Sequence, residues 1–453
     1  MSTLNSILNI ARSAISTQQT AVRVTSQNIA NAQTDGYTRQ RVTFVESLPD
    51  VTPIGRLGTG VQIYEIARVR SDLLDSNYRR DISRAEGYEL RHELLGQVES
   101  VLGELSETGL AADMDAFWGS WADLANSPTS DTARELIARS GAQVATKLQN
   151  YSQRLDDLKH STRLRLTSSV ADVNGLAQQV AEINQEIVVA ETGGYTANDL
   201  RDQRDRLVDE MAKLGSVRIV DRRNGSIAVI LENAMVVDGA NSKEITAGGI
   251  PLSVTAGGVK LSFSGESSAI SEMLNLINTD VPAVQANLDE LASGLIAGVN
   301  ALHTTGFDRT GAPGAAFFEG TTARDISVSA VIEGDPTLIV ASDTAGAGGN
   351  NSVALALAGL RDDTTTMDGG TKSFAGFYRN TVTEVALQVR DANNAHDVYS
   401  TVAAQADIRR QSVSGVSTDE ELIRLIQHQQ AYTAATRLVT AVDEMMNSVL
   451  NMV

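Results

Sequence analysis

Apolar side chains recur at alternating steps of three and four residues at both ends of the chain, which is the spacing of a coiled-coil seam. The N-terminal seam runs from Leu4 to Ala32 and the C-terminal seam from Ala431 to Met452. A second apolar row, over residues 425–453, lies beside the C-terminal seam. We therefore predict two long terminal helices that pair with each other and present more apolar surface than one partner helix can cover.

The interior of the chain contains two further seams and one change of period. The seams cover residues 166–190 and 378–406, and each predicts a helix of about 30–40 residues. Between residues 216 and 263 the apolar period changes to two, with Asn224-Gly225 and Gly257-Gly258 between the runs. These dipeptides favour hairpin turns, because such turns need positive φ, so the stretch predicts a small β domain.

The predicted fold class is mainly α with an inserted small β domain. It is elongated, with the terminal helices paired as a coiled coil, a long-helix bundle, and an outer antiparallel β domain. A β-like stretch over residues 326–340 is expected to add edge strands to the β domain. The predicted domains are a terminal coiled-coil domain (1–33 and 418–453), a helix bundle (34–215, 264–320 and 347–417) and a β domain (216–263 with 321–346).

Composition and charge exclude several classes of function. The 453 residues include 37 Lys and Arg against 56 Asp and Glu, which gives a net charge of −19 and argues against a nucleic-acid partner. The absence of cysteine and the presence of only five histidines leave little for a metal site. Phosphate-loop, nucleophile-elbow and zinc-protease motifs are absent, so we expect no enzyme, cofactor or metal. The sequence contains no membrane span and no conventional signal peptide, and we expect no membrane partner.

Two local patterns have plain structural interpretations. The alternating charges of residues 199–206 predict a solvated helix face with ion pairs three and four residues apart. Trp118 and Trp121, close to Phe117, predict an aromatic core between helices.

One segment is more specific, the string Asn-Ile-Ala-Asn-Ala-Gln-Thr-Asp-Gly-Tyr-Thr-Arg-Gln over residues 28–40. Asn28 and Asn31 favour the end of a helix, and Gly36 supplies a residue able to take positive φ in a turn. The string resembles the N-terminal signature of bacterial flagellar axial proteins. Its last four residues, Tyr-Thr-Arg-Gln, are similar to those of the flagellar hook-associated protein 1 family.

Four more segments agree with that family in the same order along the chain. They are 117–128 (Phe-Trp-x-x-Trp-x-Asp-Leu-Ala-Asn-Ser-Pro), 199–207, 301–318 and 414–453. Two departures stand out: Asp35 replaces the usual proline, and the chain is short for the family between Phe318 and Met367, which suggests that an outer β domain is missing.

The resemblance implies a structural subunit at the junction between the flagellar hook and the filament. The paired terminal helices are then expected to form the inner tube, to be disordered in the free subunit and to order on assembly. Implied partners are further copies of the chain in a ring or helical tier, the hook protein, a second junction protein and through it flagellin, and an export chaperone. The implied location is extracellular, after type III export without a cleaved signal peptide.

Two sets of candidate site residues follow. We expect seam residues to make assembly contacts rather than intramolecular core contacts alone, because one helix cannot cover both rows: Leu8, Ile15, Val22, Ile29, Leu438, Val442, Met445 and Val449. We expect the signature turn to shape the passage between inner and outer layers: Asn28, Asn31, Gly36, Tyr37 and Arg39. The alternatives are another flagellar axial protein, such as a hook or distal rod component, and a membrane-surface binder, which the few cations of the terminal helices disfavour.

Overall fold

Helices dominate the structure, a computed structural model that describes residues 2–52, 55–103, 109–263 and 267–450. In chain order they are α1 (Ser2–Ala30), α2 (Asp72–Leu102), α3 (Leu110–Asn126), α4 (Asp131–Ala190), α5 (Asn198–Leu214), α6 (Ala269–Asn275), α7 (Val281–His303), α8 (Ala330–Gly334), α9 (Ser352–Gly359), α10 (Phe374–Ser414) and α11 (Thr418–Leu450). A π-helical turn over Leu276–Asp280 joins α6 to α7. None of these helices is both long enough and apolar enough to span a bilayer.

The strands form small antiparallel sheets. They are β1 (Gln40–Glu46), β2 (Asp50–Thr52), β3 (Gly55–Leu57), β4 (Val61–Arg68), β5 (Val217–Asp221), β6 (Ile227–Leu231), β7 (Ala234–Asp238), β8 (Asn241–Ser242), β9 (Ile245–Gly248), β10 (Ser253–Ala256), β11 (Val259–Lys260), β12 (Phe318–Glu319) and β13 (Ser327–Val328). Strand β1 pairs with β4 and β2 with β3, while β5 to β8 form a meander and β9 to β11 a three-stranded sheet. Pairs β1–β4 and β2–β3 follow one another along one arm, which we call the hairpin (described residues 40–52 and 55–68).

The longest helix, α4, is the spine of the bundle. It has 60 residues and therefore extends about 90 Å at 1.5 Å per residue. Ser130 caps its start by accepting a hydrogen bond from the Ala133 amide. The predicted seam over residues 166–190 supplies buried side chains such as Leu166, Val173 and Val180. The seam prediction was therefore correct in the face that it buries, which packs into the core shared with the β sheets. The predicted length of about 30–40 residues was too short, because the helix begins at Asp131, well before the seam.

Helices α2 and α10 lie antiparallel and form the second main axis of the molecule. The ring of Tyr88 stacks on Tyr399 at 5.1 Å between centroids, and the Tyr378 hydroxyl donates to the Leu102 carbonyl at 2.9 Å. Since the contacts run in opposite order along the two helices, α10 returns past the whole length of α2. Its end at Ser414 then lies near the start of α2, where α11 begins.

Aromatic side chains from distant segments meet in one core cluster. Trp121 and Phe117 of α3 are fully buried, and both lie within 6 Å, between ring centroids, of Phe317. Trp118 contacts Phe374 at the start of α10, at 5.7 Å between centroids. The predicted aromatic core is confirmed, and it joins α3 to α10 and to the segment just before β12.

The fold class is confirmed, but two β segments differ from expectation. Strand β13, inside the stretch 326–340, pairs with β12 and not with the sheets over 217–260, and α8 follows it immediately. That prediction was wrong because the strand ends at Val328, where Ser329 accepts a hydrogen bond from the Ile332 amide and starts α8. The hairpin lies within the predicted helix-bundle segment 34–215, so that part of the prediction was wrong. Its alternating apolar residues, such as Val42 and Phe44, have the period of a strand.

Candidate assembly interface

The terminal helices α1 and α11 pack against each other as predicted, and we call them the terminal pair. Asn28 Nδ2 donates to Glu421 Oε2 at 2.8 Å, and His428 Nδ1 lies 2.8 Å from Gln18 Oε1. Residues earlier in α1 contact residues later in α11, so the two helices are antiparallel. Ser2 and Leu450, the outermost described residues, therefore lie at the end of the pair that is away from the bundle.

The buried line of α1 differs from the predicted assembly residues. Leu8, Ile15, Val22 and Ile29 are all half-buried in the single subunit. The fully buried positions are mostly small or polar: Ala11, Thr17, Ala21, Val24, Thr25 and Asn28. Small residues let the two backbones approach closely, and the larger apolar side chains consequently stand at the edges of the contact.

The predicted residues of α11 divide into two groups. Val442 is 1% exposed and so belongs to the intramolecular contact, whereas Leu438 and Met445 are 40% and 45% exposed. The side chain of Val449 lies outside the described part of the chain. Three further large apolar residues of α11, Leu422, Ile423 and Ile426, are also about half exposed. Helix α1 thus covers one side of α11 and leaves an apolar flank, which includes Leu438 and Met445, open in the single subunit.

The signature turn is organised around the buried amide of Asn28. Its Oδ1 accepts from the Tyr37 hydroxyl at 2.9 Å and from the Gln40 amide at 3.0 Å. Its Nδ2 donates to the Gln40 carbonyl and to Glu421. Burial, with added repulsion from Asp202 and Glu421, raises the pKa of Tyr37 to about 12, which keeps its hydroxyl a donor. Asn28, in the last turn of α1, therefore fixes the start of the hairpin to α1 and joins both to α11.

The other signature residues complete the turn. Asn31 Nδ2 donates to the Gln27 carbonyl at 3.0 Å and so closes the last turn of α1. Gly36 has φ +72°, and a Cβ there would collide with the Arg206 side chain. The Arg39 amide donates to the Ser414 carbonyl at 2.9 Å, and its guanidinium pairs with Glu420 at 2.9 Å. Arg39 therefore links the turn to the segment between α10 and α11.

Beneath the turn lies a buried network of arginines and aspartates, which we call the joint. The Thr38 amide donates to Asp202 Oδ2 at 3.1 Å. Arg68, at the end of the hairpin, donates to both Asp202 and Asp205 at 2.7 Å. Arg70 lies 3.0 Å from Asp205, and Asp205 and Asp202 are almost fully buried.

The joint extends through Asp209 to the two long helices. Asp209 accepts from Arg79 of α2 at 2.6 Å and from Arg410 of α10 at 2.6 Å. Burial alone would raise the pKa of Asp205, but the guanidiniums of Arg70, Arg68 and Arg79 outweigh it and hold that pKa below its usual value. The joint thus fixes the turn, the hairpin, α2 and α10 to a single helix, α5.

The interpretation of residues 199–206 as a solvated face was wrong. Asp202, Asp205 and Asp209 share one face of α5 and pair with arginines from other elements rather than with neighbours on their own helix. The steps of three and four between them are the spacing of a buried face, which was the signal in the sequence. The spacing could not identify the arginine partners of these aspartates, which lie more than 120 residues away in the sequence.

Three comparisons with known proteins agree with this arrangement. A family described as "Flagellar hook-associated protein FlgK helical domain" matches residues 95–318. The "Flagellar hook-associated protein 1" of Bacillus subtilis (strain 168) is 31% identical over 98% of this chain and 97% of its own length. The chain belongs to the flagellar hook-associated protein 1 family. It is therefore a structural protein of the bacterial flagellum.

More distant relatives agree in extent and fold. The "Flagellar hook-associated protein 1" of Salmonella typhimurium is 22% identical and matches 99% of this chain and 100% of its own length. A solved structure titled "The structure of the flagellar hook junction protein FlgK from Burkholderia pseudomallei" has a TM-score of 0.67 and 15% identity, and covers 75% of this chain and 100% of its own. At that identity the likeness shows a shared fold.

The family comparisons also bear on the alternative and on chain length. Families described as "Flagella basal body rod protein" and "Flagellar basal body rod FlgEFG protein C-terminal" match residues 8–38 and 410–452. The likeness to rod proteins is thus confined to the terminal segments, so a hook or rod component is less supported. The Salmonella alignment spans 555 positions against 453 residues here, so at least 102 positions are absent from this chain. Their placement between Phe318 and Met367 stays a prediction.

Proposed function

We propose that this subunit joins hook to filament by polymerising through the terminal pair, as its family membership indicates. Copies of the chain would form a ring or helical tier, with the hook protein on one side and a second junction protein, which carries flagellin, on the other. The observation that carries the proposal is the apolar flank of α11, with Leu438 and Met445 at 40% and 45% exposure. Apolar rows of this length on a soluble subunit indicate a protein contact.

The terminal pair is thinly packed within one subunit, which supports ordering on assembly. Its fully buried apolar side chains among the described residues are Ala11, Ala21, Val24, Ala435 and Val442, of which three are alanine. Isolated helices depend on packing for their stability, and alanine buries little area. We therefore propose that residues 1–33 and 418–453 form the inner layer and fold fully only against neighbouring subunits.

Export and the absence of catalysis belong to the same proposal. A subunit assembled outside the cell would leave by the flagellar type III route, with a chaperone covering the apolar flank of α11 beforehand. The buried charged side chains of the joint hold the helices together, which is a structural role. We propose no enzymatic activity and no membrane partner for the chain.

The test replaces one exposed apolar residue of the flank and one exposed polar residue on the opposite face. Leu438→Asp would place a charge in the proposed subunit contact, where an unpaired carboxylate costs several kcal/mol per subunit. Thr440→Asp adds the same charge about 160° from the buried Val442 line and serves as the control. Val442→Asp would be less informative, because Val442 is already buried within the subunit.

We expect the Leu438→Asp strain to build hooks, export the variant and release flagellin into the medium, while Thr440→Asp cells keep filaments. An immunoblot of the culture supernatant for the variant separates failed export from failed assembly. Normal filament numbers with both Leu438→Asp and Met445→Asp would refute the proposal.

A further inference from the structure

A cationic cleft of about 280 Å³ lies between the start of α2, α5 and strands β5 and β6. Among the described residues it is lined by six arginines and four aspartates. The lining alone therefore has two more positive than negative groups, although the whole chain carries a net charge of −19. The cleft is separate from the terminal pair, and nothing in the proposed assembly uses it.

Four of the six arginines have carboxylate partners. Arg68, Arg70 and Arg79 pair with aspartates of the joint or of α2, and Arg201 pairs with Glu191 at 2.8 Å. Over the described ranges, neither Arg204 nor Arg218 has a carboxylate oxygen within 4.0 Å. Two guanidinium charges in the cleft are therefore without a counter-ion contact.

The charge of Arg204 is the more costly of the two to leave without a counter-ion, because this side chain is only 3% exposed. Its Nη1 donates to two neutral acceptors, Asn184 Oδ1 at 3.1 Å and the Gly225 carbonyl at 2.9 Å. Its Nε is buried and finds no acceptor among the described residues. A buried charge with an unsatisfied donor is costly unless an anion compensates it.

The electrostatic environment agrees with this geometry. Burial lowers the pKa of the Arg204 guanidinium to about 10; Asp205 and Asp221 oppose that change, whereas Arg201 and Arg68 add to it. At neutral pH the group is still charged, so its charge has to be stabilised rather than removed. Arg218 of β5 is exposed and lines the same cleft.

We propose that this cleft binds a small inorganic oxyanion of the phosphate class, between the Arg204 and Arg218 guanidiniums. The guanidinium fork matches the oxygens of such an ion, and the charge-assisted hydrogen bonds would compensate the buried charge. Asp72 and Asp221 also line the cleft, so the two guanidiniums have to outweigh the repulsion between these carboxylates and the anion. The ion would link the β domain to α2 and α5, and so stiffen the part of the subunit beside the joint.

The experiment is calorimetric titration of the purified full-length chain with inorganic phosphate, at constant ionic strength. We expect one saturable site, weakened about tenfold in Arg204→Gln, since one charge-assisted hydrogen bond is worth that factor or more. Arg218→Gln alters an exposed side chain and should weaken phosphate binding without affecting the fold. This variant therefore tests the site even if Arg204→Gln does not fold. Arg222→Gln, a surface arginine paired with Asp238 outside the cleft lining, is the matched control.

Saturable binding that Arg218→Gln weakens and Arg222→Gln leaves unchanged would support the site. No heat of binding in the wild type would overturn it, and so would equal weakening in Arg218→Gln and Arg222→Gln, which would indicate a general surface effect. These readouts do not depend on filament attachment, so the proposal can fail while the junction role stands.

Discussion

Replacing Asp205 by asparagine removes one charge from the centre of the joint with almost no change of shape. Asp205 lies 2.7 Å from Arg68 and 3.0 Å from Arg70, and it is almost fully buried. Removing one partner of a buried ion pair typically costs about 3–5 kcal/mol, because a charge is left uncompensated. Arg68 keeps Asp202 and Arg70 keeps Asp75, so we expect the lower end, about 3 kcal/mol.

The assay is thermal and urea unfolding followed by circular dichroism. At about 2 °C per kcal/mol for a large domain, the midpoint of Asp205→Asn should fall by about 6 °C. Asp199→Asn makes the same chemical change on the exposed side of the same helix and is the control, with an expected loss under about 1 kcal/mol.

The pH dependence supplies a second check. Because the pKa of Asp205 is depressed in the folded state, its stabilisation is present above the unfolded pKa of 3.8 and is lost as the pH falls through the folded value. The difference between wild type and Asp205→Asn should therefore stay constant from pH 8 to pH 5 and shrink only below about pH 4. A loss no larger than that of Asp199→Asn at pH 7 would refute the view that the joint is a coupled buried network.

Two further predictions concern acid stability and the chain ends. His303 is fully buried, and its Nε2 accepts from the Val340 amide while Nδ1 lies 2.6 Å from the Ala315 carbonyl; burial lowers its pKa to about 4. Since the unfolded chain then binds the proton more readily, the free energy of unfolding of the wild type should fall by about 2 kcal/mol between pH 7 and pH 5. The His303→Gln variant should not show this fall when both proteins are unfolded in urea. An equal dependence of unfolding free energy on pH in the two proteins would contradict the prediction. In the purified subunit, limited proteolysis read by mass spectrometry should trim residues near 1–35 and 418–453 first, and ends as resistant as the middle would argue against ordering on assembly.

Periodicity in the sequence was sufficient to identify four of the long helices (α1, α4, α10 and α11), the pairing of the two ends and the β strands over 217–260, but it did not identify α2. Apolar spacing fixes both the type of element and the face that it buries, and these are local properties of the chain. The collinear motifs were also sufficient to identify the family. The eight assembly residues remain a proposal, although the structure separates Val442, which α1 covers, from Leu438 and Met445, which it does not.

Only the tertiary structure decided which charges are buried. The acidic motif of α5 looks like a solvated face when it is considered alone, because its partners Arg68, Arg70 and Arg79 come from the hairpin and α2. Likewise, the sequence predicted Asn28 near the end of a helix, but it could not predict the hydrogen bond from Asn28 to Glu421, 393 residues away. The apolar and polar periodicity of a helix indicates which of its faces is buried. Which residues pack against that face depends on how distant elements meet, and periodicity along the chain does not contain that information.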